Sequence, residues 1–285
     1  MNENTRPNVS IITVCRNPGR NIVKTFESVL AQDYSDFEYI IQDGGSNDGT
    51  SELIDKYASR FKERGIRISV FYEDDPGIYS GINKAVAHAE GTWINFLNAG
   101  SCFYSASVLS SVFNRSNYPN AAVLYGDAVE FEYGHYHMFR KSLANIESGM
   151  PFSLQAAFIN HELLSRYPFK TDYRIGADYD WLLSIHSKGF FFRDINTIIC
   201  ILSKNDDISS LKLYDAYMDA LKIRNSHGIS GPTAAELIVK KREIKFKQFV
   251  LDHFPVFLQK LIRHIQLILR KQNADLTIPS WARSK

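Results

Sequence analysis

The amino-acid sequence predicts an α/β protein whose mostly parallel, twisted β-sheet is flanked by helices. In the first hundred residues, short runs of β-branched and aromatic residues alternate with segments of helical periodicity. The chain has 285 residues, of which 45% are hydrophobic, so it can bury the core of one large α/β domain. Right-handed crossovers in such a sheet place a ligand crevice beyond the carboxyl ends of the strands.

The first third of the chain alternates predicted strands and helices. Strands are expected at VSIITVC (residues 9–15), FEYIIQ (37–42), ISVFY (68–72) and WINFL (93–97). Helices are expected at 21–31, from residue 47 or 48 onward, and at 77–89. This βαβαβαβ series is typical of a parallel sheet.

The rest of the chain has a less regular pattern. Helices are expected at 105–113 and 178–188, and strands at 122–125, at 130–139 in a hairpin, and at 190–202. From about residue 208 onward the sequence becomes helical and more basic. We therefore predict one folded unit over residues 1–207, followed by a helical, basic and amphipathic C-terminal extension over residues 208–285.

Charge, cysteines and hydropathy exclude several protein classes. Thirty-three Lys and Arg nearly balance 31 Asp and Glu, and a formal charge of +2 does not indicate a nucleic-acid-binding protein. Cys15, Cys102 and Cys200 are far apart and lack a CxxC pair, so reduced, buried thiols are expected rather than disulfides or a zinc site. No signal-peptide pattern and no apolar run of about 18 residues is visible. A cytoplasmic protein is predicted.

Polar loops follow the predicted strands at the edge where the crevice is expected. Asp43 opens the loop DGGSNDGT, whose glycines permit tight turns with positive φ. Its carboxylate could accept from a base N–H or from ribose hydroxyls, or it could help cap the next helix. The loop matches neither GxGxxG nor GxxxxGKS, which removes the usual signatures of dinucleotide oxidoreductases and P-loop ATPases.

Three segments together resemble the nucleotide-binding half of glycosyltransferase family two. They are PNVSIITVCRN, DGGSNDGT and EDDPGIYSGINKAVAHAEGTWINFLNAGS, and the resemblance extends over roughly residues 8–202. The GIY phrase followed by Asn83 and Lys84 looks most like the bacterial branch that builds exopolysaccharide and colanic-acid-type repeat units. The resemblance implies a GT-A fold over residues 1–207 and a nucleotide-sugar donor, expected to be UDP-linked.

The resemblance also implies which residues bind the nucleotide-sugar. Thr13 and Arg16 fall on the loop after the first strand, where the family contacts the nucleotide, and Asp43 matches the carboxylate that holds uracil or ribose. The other matches are two acids before the GIY phrase and two residues of the following helix: Glu73, Asp75, Asn83 and Lys84. The alternative for Lys84 is that it is a solvent-exposed charge on the helix and does not contact the nucleotide-sugar.

The largest departure from the family pattern falls on its DxD motif, which ligates Mg²⁺ or Mn²⁺. The equivalent positions after the fourth strand are Asn98, Gly100 and Ser101, and Ser101 takes the place of the last acid. Hard divalent cations prefer anionic oxygen ligands. Ser80 also replaces an acid after GIY, and Leu154 replaces a histidine in the MP…HQ segment of the family. Mg or Mn is therefore possible as a cofactor, but the chain lacks the acids that would hold it.

The segment YRIGADYDWL resembles the acceptor-side motif whose acid is the catalytic base in inverting members. Asp178 matches that acid best, and Asp180 is the rival. A sugar hydroxyl is a weak nucleophile, so a carboxylate must take its proton during attack on the anomeric carbon. The alternative for Asp178 is an N-cap of the predicted helix at 178–188.

The C-terminal extension combines basic residues with aromatic and aliphatic ones over residues 235–276. Such a segment suits an amphipathic helix on anionic lipid, and it could equally pack on the catalytic domain. Pro255 should divide it into two helices.

The resemblance implies an inverting hexosyl- or N-acetylhexosaminyltransferase. It would act on a lipid-linked or growing surface polysaccharide, such as capsule or exopolysaccharide, at the inner face of the plasma membrane. The competing interpretation, based on Ser80 and Ser101, is a binding or scaffold protein that has kept the fold and lost the chemistry.

Overall fold

A computed structural model describes residues 6–114, 116–132, 135–203, 212–253 and 278–282. Within these ranges one mixed sheet of nine strands runs in the order β3-β2-β1-β4-β8-β6-β9-β5, with β7 paired to β6. The α/β class predicted from the sequence is confirmed.

The parallel half of the sheet is built from the first four predicted strands. They are β1 (Val9–Cys15), β2 (Phe37–Asp43), β3 (Arg67–Tyr72) and β4 (Trp93–Phe96). β1 pairs in parallel with both β2 and β4, and its last residue, Cys15, lies opposite Asp43. The carboxyl ends of these strands therefore meet at one edge of the sheet.

Helices cover both faces of this half of the sheet. They are α1 (Ile22–Leu30), α2 (Thr50–Glu63) and α3 (Ile78–Ala87). Phe26 of α1 and Phe61 of α2 pack in one core cluster, whereas Ile82 of α3 packs in a second cluster on the opposite face. Alternate residues of β1 contribute to the two clusters, because successive side chains of a strand point to opposite faces.

The second half of the sheet is mixed. It contains β5 (Cys102–Phe103), β6 (Ala121–Glu132), β7 (His135–Phe139), β8 (Ala157–Asn160) and β9 (Phe191–Ser203). β6 and β7 form the predicted hairpin, and β8 is antiparallel to both β4 and β6. The helices of this half are α4 (Val108–Phe113), α5 (His161–Arg166) and α6 (Ala177–Ser187).

The C-terminal extension begins with two described helices, α7 (Leu213–Ser226) and α8 (Ala234–His253). α7 packs on α6, and Ile223 is fully buried in the same core cluster as the residues of α3. Residues 278–282 return to the sheet, where the Trp281 Nε1–H donates to the Phe103 carbonyl at 3.0 Å. Pro255 and most of the predicted amphipathic segment lie outside the described residues.

The three cysteines are buried thiols, as expected from their spacing. Burial and the neighbouring Asp43 carboxylate raise the pKa of the Cys15 thiol, so it stays protonated. Within the described residues, no helix combines the length and apolarity needed to cross a bilayer.

Candidate active site

A cleft of about 450 Å³ opens beyond the carboxyl ends of the parallel strands. We call it the strand-end cleft. Its lining comes from the end of β1 and the loop that follows it, from the loop after β2, from the start of α3 and the loop before it, from the turn after β4, and from two later positions in the chain. The lining residues are Val14 to Pro18, Asn21, Gly44, Asp75 to Ile78, Asn98, Ala99, Ser101, Gln155 and Ser203. The sequence predicted a crevice at this edge of the sheet.

The loops after β1 and β2 hold each other in place. The Gly44 N–H donates to the Cys15 carbonyl at 2.9 Å, and the Asn17 N–H donates to Ser46 Oγ at 2.8 Å. In return, the Asn47 N–H donates to Asn17 Oδ1 at 2.8 Å. Asn17 adopts a positive φ of 53°, a conformation that asparagine tolerates better than most residues. This network fixes one wall of the cleft.

Two residues expected to contact the nucleotide, Thr13 and Asp43, have side chains that are hydrogen-bonded within the walls of the cleft. Thr13 is fully buried, and its hydroxyl bonds to the Leu97 carbonyl at 2.7 Å and to the Tyr39 hydroxyl at 2.8 Å. Asp43 is only 1% exposed, and its carboxylate accepts hydrogen bonds from Ser46, Ser51 and the Cys15 thiol. Neither side chain lines the strand-end cleft, because each points into the packed sheet edge.

The acidic loop before α3 places one of its carboxylates in the cleft. Asp75 lines the cleft with a side chain only 7% exposed, whereas Glu73 is exposed and lies outside the lining. Lys84 forms ion pairs with both, at 2.8 Å to Asp75 and 3.1 Å to Glu73. These hydrogen bonds raise the pKa of Lys84. Lys84 therefore organises the acidic loop and does not line the cleft.

Two further residues explain how Asp75 and α3 are positioned. A Cβ at Gly81 would lie 2.6 Å from Asp75 Oδ2 and 3.0 Å from Val14, so only glycine allows this close approach. Asn83 was expected to face the nucleotide-sugar, but its amide donates to the Phe169 carbonyl at 2.8 Å and accepts from the Phe169 N–H at 3.1 Å. Its side chain is thus occupied in joining α3 to a neighbouring loop.

The turn after β4 presents neutral groups to the cleft. The Ser101 N–H donates to the Asn98 carbonyl at 2.9 Å, and Gly100 has a φ of +90° that favours glycine. Asn98 and Ser101 line the cleft, and Ser101 Oγ accepts from the Ser203 N–H at 3.2 Å. Among the residues that the structure describes, no group of three or more His, Cys, Asp or Glu side chains could hold a metal ion. This amide and hydroxyl do not fit the anionic set that Mg²⁺ or Mn²⁺ prefers.

A second cavity of about 310 Å³ adjoins the first, and we call it the side cavity. The two share Ile78, Asn98 and Gln155 in their linings. Asp178 lines the side cavity at the start of α6, where its Oδ1 accepts from the Tyr79 hydroxyl at 3.1 Å and from the Tyr179 N–H at 2.9 Å. The two cavities therefore adjoin at these three residues, with Asp75 in the lining of the first and Asp178 in the lining of the second.

Asp178 is not the N-cap of α6, so that alternative is wrong. The N-cap is Gly176, which has a left-handed conformation with φ of 99°.

The rival base, Asp180, lines neither cavity. It is 2% exposed and pairs with Lys170 Nζ at 3.0 Å and His227 Nε2 at 3.0 Å. Helical geometry explains the difference, since residues two apart on a helix point in very different directions.

Sequence reasoning missed several residues that line the cavities. Gln155 lies at the junction, where its Oε1 accepts from the Asn98 N–H at 2.9 Å. The Tyr79 hydroxyl donates a hydrogen bond to Asp178, and Arg174 lines the side cavity. All three residues lie within segments that resemble the family, so this resemblance is the signal that could have identified them. The hydrogen bond between Tyr79 and Asp178, which are 99 residues apart, could not be predicted from the sequence alone.

The comparisons with known proteins agree with this geometry. A family model, Glycosyl transferase family 2, matches residues 10–190. A PGL/p-HBAD biosynthesis glycosyltransferase of Mycobacterium bovis is 29% identical over 187 residues, covering 61% of this chain and 68% of that protein. The putative glycosyltransferase EpsE of Bacillus subtilis is 31% identical over 91 residues, covering 32% of each chain.

Solved structures show the same fold at low sequence identity. S. aureus TarS in complex with UDP-GlcNAc has a TM-score of 0.60 at 15% identity, covering 86% of this chain and 72% of that chain. The mannosyltransferase PcManGT from Pyrobaculum calidifontis, in complex with GDP-Man and Mn²⁺, has a TM-score of 0.58 at 16% identity, covering 94% and 89%. These similarities confirm the GT-A fold.

The relatives do not single out the exopolysaccharide and colanic-acid branch, which stays a prediction. The family model matches more than half of the chain, and the relatives are named as glycosyltransferases. This chain is therefore a glycosyltransferase and belongs to glycosyl transferase family 2.

Proposed function

We propose that this enzyme transfers a sugar from a UDP-sugar to an acceptor hydroxyl with inversion at the anomeric carbon. The observation that carries the proposal is that the two cavities adjoin and share Ile78, Asn98 and Gln155 in their linings. A donor in the strand-end cleft would place its sugar at this junction. An acceptor in the side cavity would then approach from the side opposite the diphosphate, and Asp178 would lie on the acceptor's side.

The strand-end cleft offers complementary groups to each part of a nucleoside diphosphate. The Asp75 carboxylate can accept hydrogen bonds from the base or ribose, and Gly44 allows close approach beside it. Gly77 and Ile78 bring the N-terminus of α3 to the cleft, where N–H groups without intrahelical partners favour an anion. Arg16 adds a positive charge at the exposed rim.

In the proposed reaction, the acceptor oxygen forms a bond to the anomeric carbon while the bond from that carbon to the β-phosphate oxygen breaks. The acceptor proton passes to Asp178, and the electron pair of the broken bond leaves on UDP. A single displacement of this kind inverts the anomeric configuration. The Tyr79 hydroxyl and the Tyr179 N–H hold the Asp178 carboxylate in position.

The acceptor is proposed to be a lipid-linked or growing surface glycan at the inner face of the membrane. On α8, the hydrophobic side chains of Ile238, Val239, Phe246 and Phe249 are at least half exposed, close in sequence to several lysines. Such a helix surface favours contact with anionic lipid.

Binding of UDP tests the donor site. We expect Asp75→Ala to weaken UDP binding by about ten-fold to one-hundred-fold, because a charge-assisted hydrogen bond to a largely buried carboxylate is lost. Isothermal titration calorimetry measures this change. Asp74→Ala is the matched control, since Asp74 is an exposed neighbour outside the cleft lining. Equal UDP affinity of the Asp75 variant and the wild type would refute this placement of the donor.

We also propose that the diphosphate is neutralised by a cationic side chain and by N–H groups, without a cation held at residues 98–101. Arg16 lines the strand-end cleft, where the diphosphate is proposed to bind, and it has no ion pair with the residues that the structure describes. Guanidinium groups suit phosphate oxygens, which they bind through paired donors.

A charge introduced at Ser101 tests the metal requirement. We expect wild-type sugar transfer to be unchanged by EDTA, whereas Ser101→Asp should acquire UDP binding that Mn²⁺ strengthens by about ten-fold, because a carboxylate then faces the cleft. Calorimetry with Mn²⁺ and with EDTA gives the readout. Ser101→Asn has the same shape without the charge and should show no Mn²⁺ effect. Loss of wild-type transfer in EDTA, with recovery on adding Mn²⁺, would contradict the proposal.

A further inference from the structure

Part of the side cavity is formed by the C-terminal extension. Ala216, Ala220 and Ile223 of α7 line the cavity together with residues of the family-matched region, including Asp178. The family model ends at residue 190, so α7 lies outside the matched region. The matched region by itself would leave this side of the cavity without the wall that α7 provides.

Three contacts fix α7 in this position. Ile223 is fully buried among residues of α3 and α6. The Asp219 carboxylate accepts from the Ile175 N–H at 2.9 Å, immediately before the Gly176 cap of α6. His227, which directly follows α7, pairs with the buried Asp180 at 3.0 Å. Since α7 is tied to the helix that carries Asp178, its two alanines form a defined wall close to the proposed base.

The chemistry of the side cavity is mostly apolar. Aromatic and aliphatic side chains make up most of its lining, among them Phe96, Phe139, Phe152 and Leu202. The two tyrosine hydroxyls of the lining are already bonded, Tyr79 to Asp178 and Tyr179 to the Ile146 carbonyl. The other polar side chains of the lining, among them Asn98, Gln155 and Arg174, can bind only hydroxyls that lie beside them. A sugar ring carries hydroxyls around its whole rim, and those buried against the aromatic and aliphatic part of the lining would have no hydrogen-bond partner, which is costly.

We propose that the side cavity binds an apolar group of the acceptor, an aromatic ring or an aliphatic chain that lies within a few atoms of the accepting hydroxyl, and that Ala216 and Ala220 set the size of that group. The inference rests on the proposed function, since it assigns the acceptor to this cavity. The cavity volume of about 310 Å³ lies at the lower end of the range for small-molecule sites. The acceptor's hydroxyl would then face Asp178, and the rest of the glycan would extend into solvent.

Three glycosides that differ only in the aglycone test the inference. Methyl, phenyl and octyl β-D-glucoside share one sugar and differ in the apolar group, and calorimetry measures their affinity for the full-length protein saturated with UDP. We expect the phenyl or the octyl compound to bind at least about ten-fold more tightly than the methyl compound, because its aglycone leaves water. Comparison of phenyl with octyl distinguishes a ring from a chain. Similar or undetectable binding of all three would overturn the inference.

Variants of α7 locate the effect. Ala220→Phe fills the cavity and should abolish the ten-fold preference for the phenyl or octyl glucoside. If this variant folds poorly, Ala216→Leu is a smaller change that should reduce the same preference. Met218→Phe is the control, because Met218 lies on the same helix outside the cavity lining. A preference that survives both alanine substitutions would refute the location. UDP affinity should stay at the wild-type value in all of these variants, whereas a wild-type protein that does not bind UDP would refute the proposed function itself.

Discussion

Replacement of Asp178 by asparagine should lower the rate of sugar transfer by about 10² to 10⁴-fold, the usual contribution of a general base. Asparagine keeps the shape of the side chain but cannot take the acceptor's proton. Its amide oxygen can still accept the hydrogen bonds from Tyr79 and from the Tyr179 N–H, so the local geometry should be kept. The substitution therefore removes basicity with little change in packing.

The measurement is turnover at saturating donor, together with UDP affinity by calorimetry. UDP binding should be unchanged, because Asp178 lines the side cavity and not the strand-end cleft. Asp180→Asn is the matched control on the same helix, and it should retain turnover within about ten-fold of the wild type, since Asp180 faces Lys170 and His227. Wild-type turnover in Asp178→Asn would remove the residue from the role of base.

The environment of Tyr79 supports this assignment. Burial and the Asp178 carboxylate raise the pKa of the Tyr79 hydroxyl well above its ordinary value, so the phenol remains a hydrogen-bond donor at neutral pH. The same hydroxyl accepts from the Gly176 N–H at 2.8 Å, which joins α3 to the N-terminus of α6. The carboxylate is thus held by α3, a helix that packs on the parallel half of the sheet.

The parallel half of the fold was predictable because three of its four strands, β1, β2 and β4, are buried on both faces. Such strands are continuous β-branched and aromatic runs, and β1 has the bounds that its sequence predicts. β8 was missed because Ala157–Asn160 is short and lacks flanking turn signals that would separate it from the preceding loop. Its place between β4 and β6 depends on long-range pairing that local patterns do not contain.

The order of strands and loops in the sequence predicted which loops form the candidate site, but it did not predict the orientation of each side chain. Arg16, Asp75, Asn98, Ser101 and Asp178 do line the two cavities. The sequence could not show which way the other side chains point.

Thr13 and Val14 are neighbours in β1, and the alternation of a strand turns Val14 to the cleft and Thr13 into the sheet. Asp43 is drawn toward the serines of its own loop, and Asn83 toward the backbone of Phe169. These orientations depend on partners up to 86 residues away in the chain.

The contribution of α7 to the wall of the side cavity was the least predictable feature of the site. Its sequence indicates a helix, but the contacts that attach it to the domain are single residues far from the recognised motifs. Asp180 is the clearest example, because its position beside Asp178 in the sequence suggested a catalytic role. In the structure it is a buried anion that joins α6 to a lysine and to the histidine after α7.

Replacement of Asp180 by alanine should therefore reduce stability rather than abolish the chemistry. We expect the free energy of unfolding to fall by about 2 kcal/mol, mainly through loss of the hydrogen bond with His227. Lys170 contributes less because its side chain is 56% exposed, and solvent screens that ion pair. Urea denaturation followed by circular dichroism measures the change.

Lys170→Met provides the comparison, because it removes the exposed partner while the contact between Asp180 and His227 remains. It should destabilise the protein less than Asp180→Ala does. Since α7 forms a wall of the side cavity, loosening its contact with α6 should also weaken binding of apolar glycosides more than binding of UDP. If Asp180→Ala instead left stability unchanged and removed turnover, the buried ion pairs would not be its main role, and Asp180 would have to be considered as the base in place of Asp178.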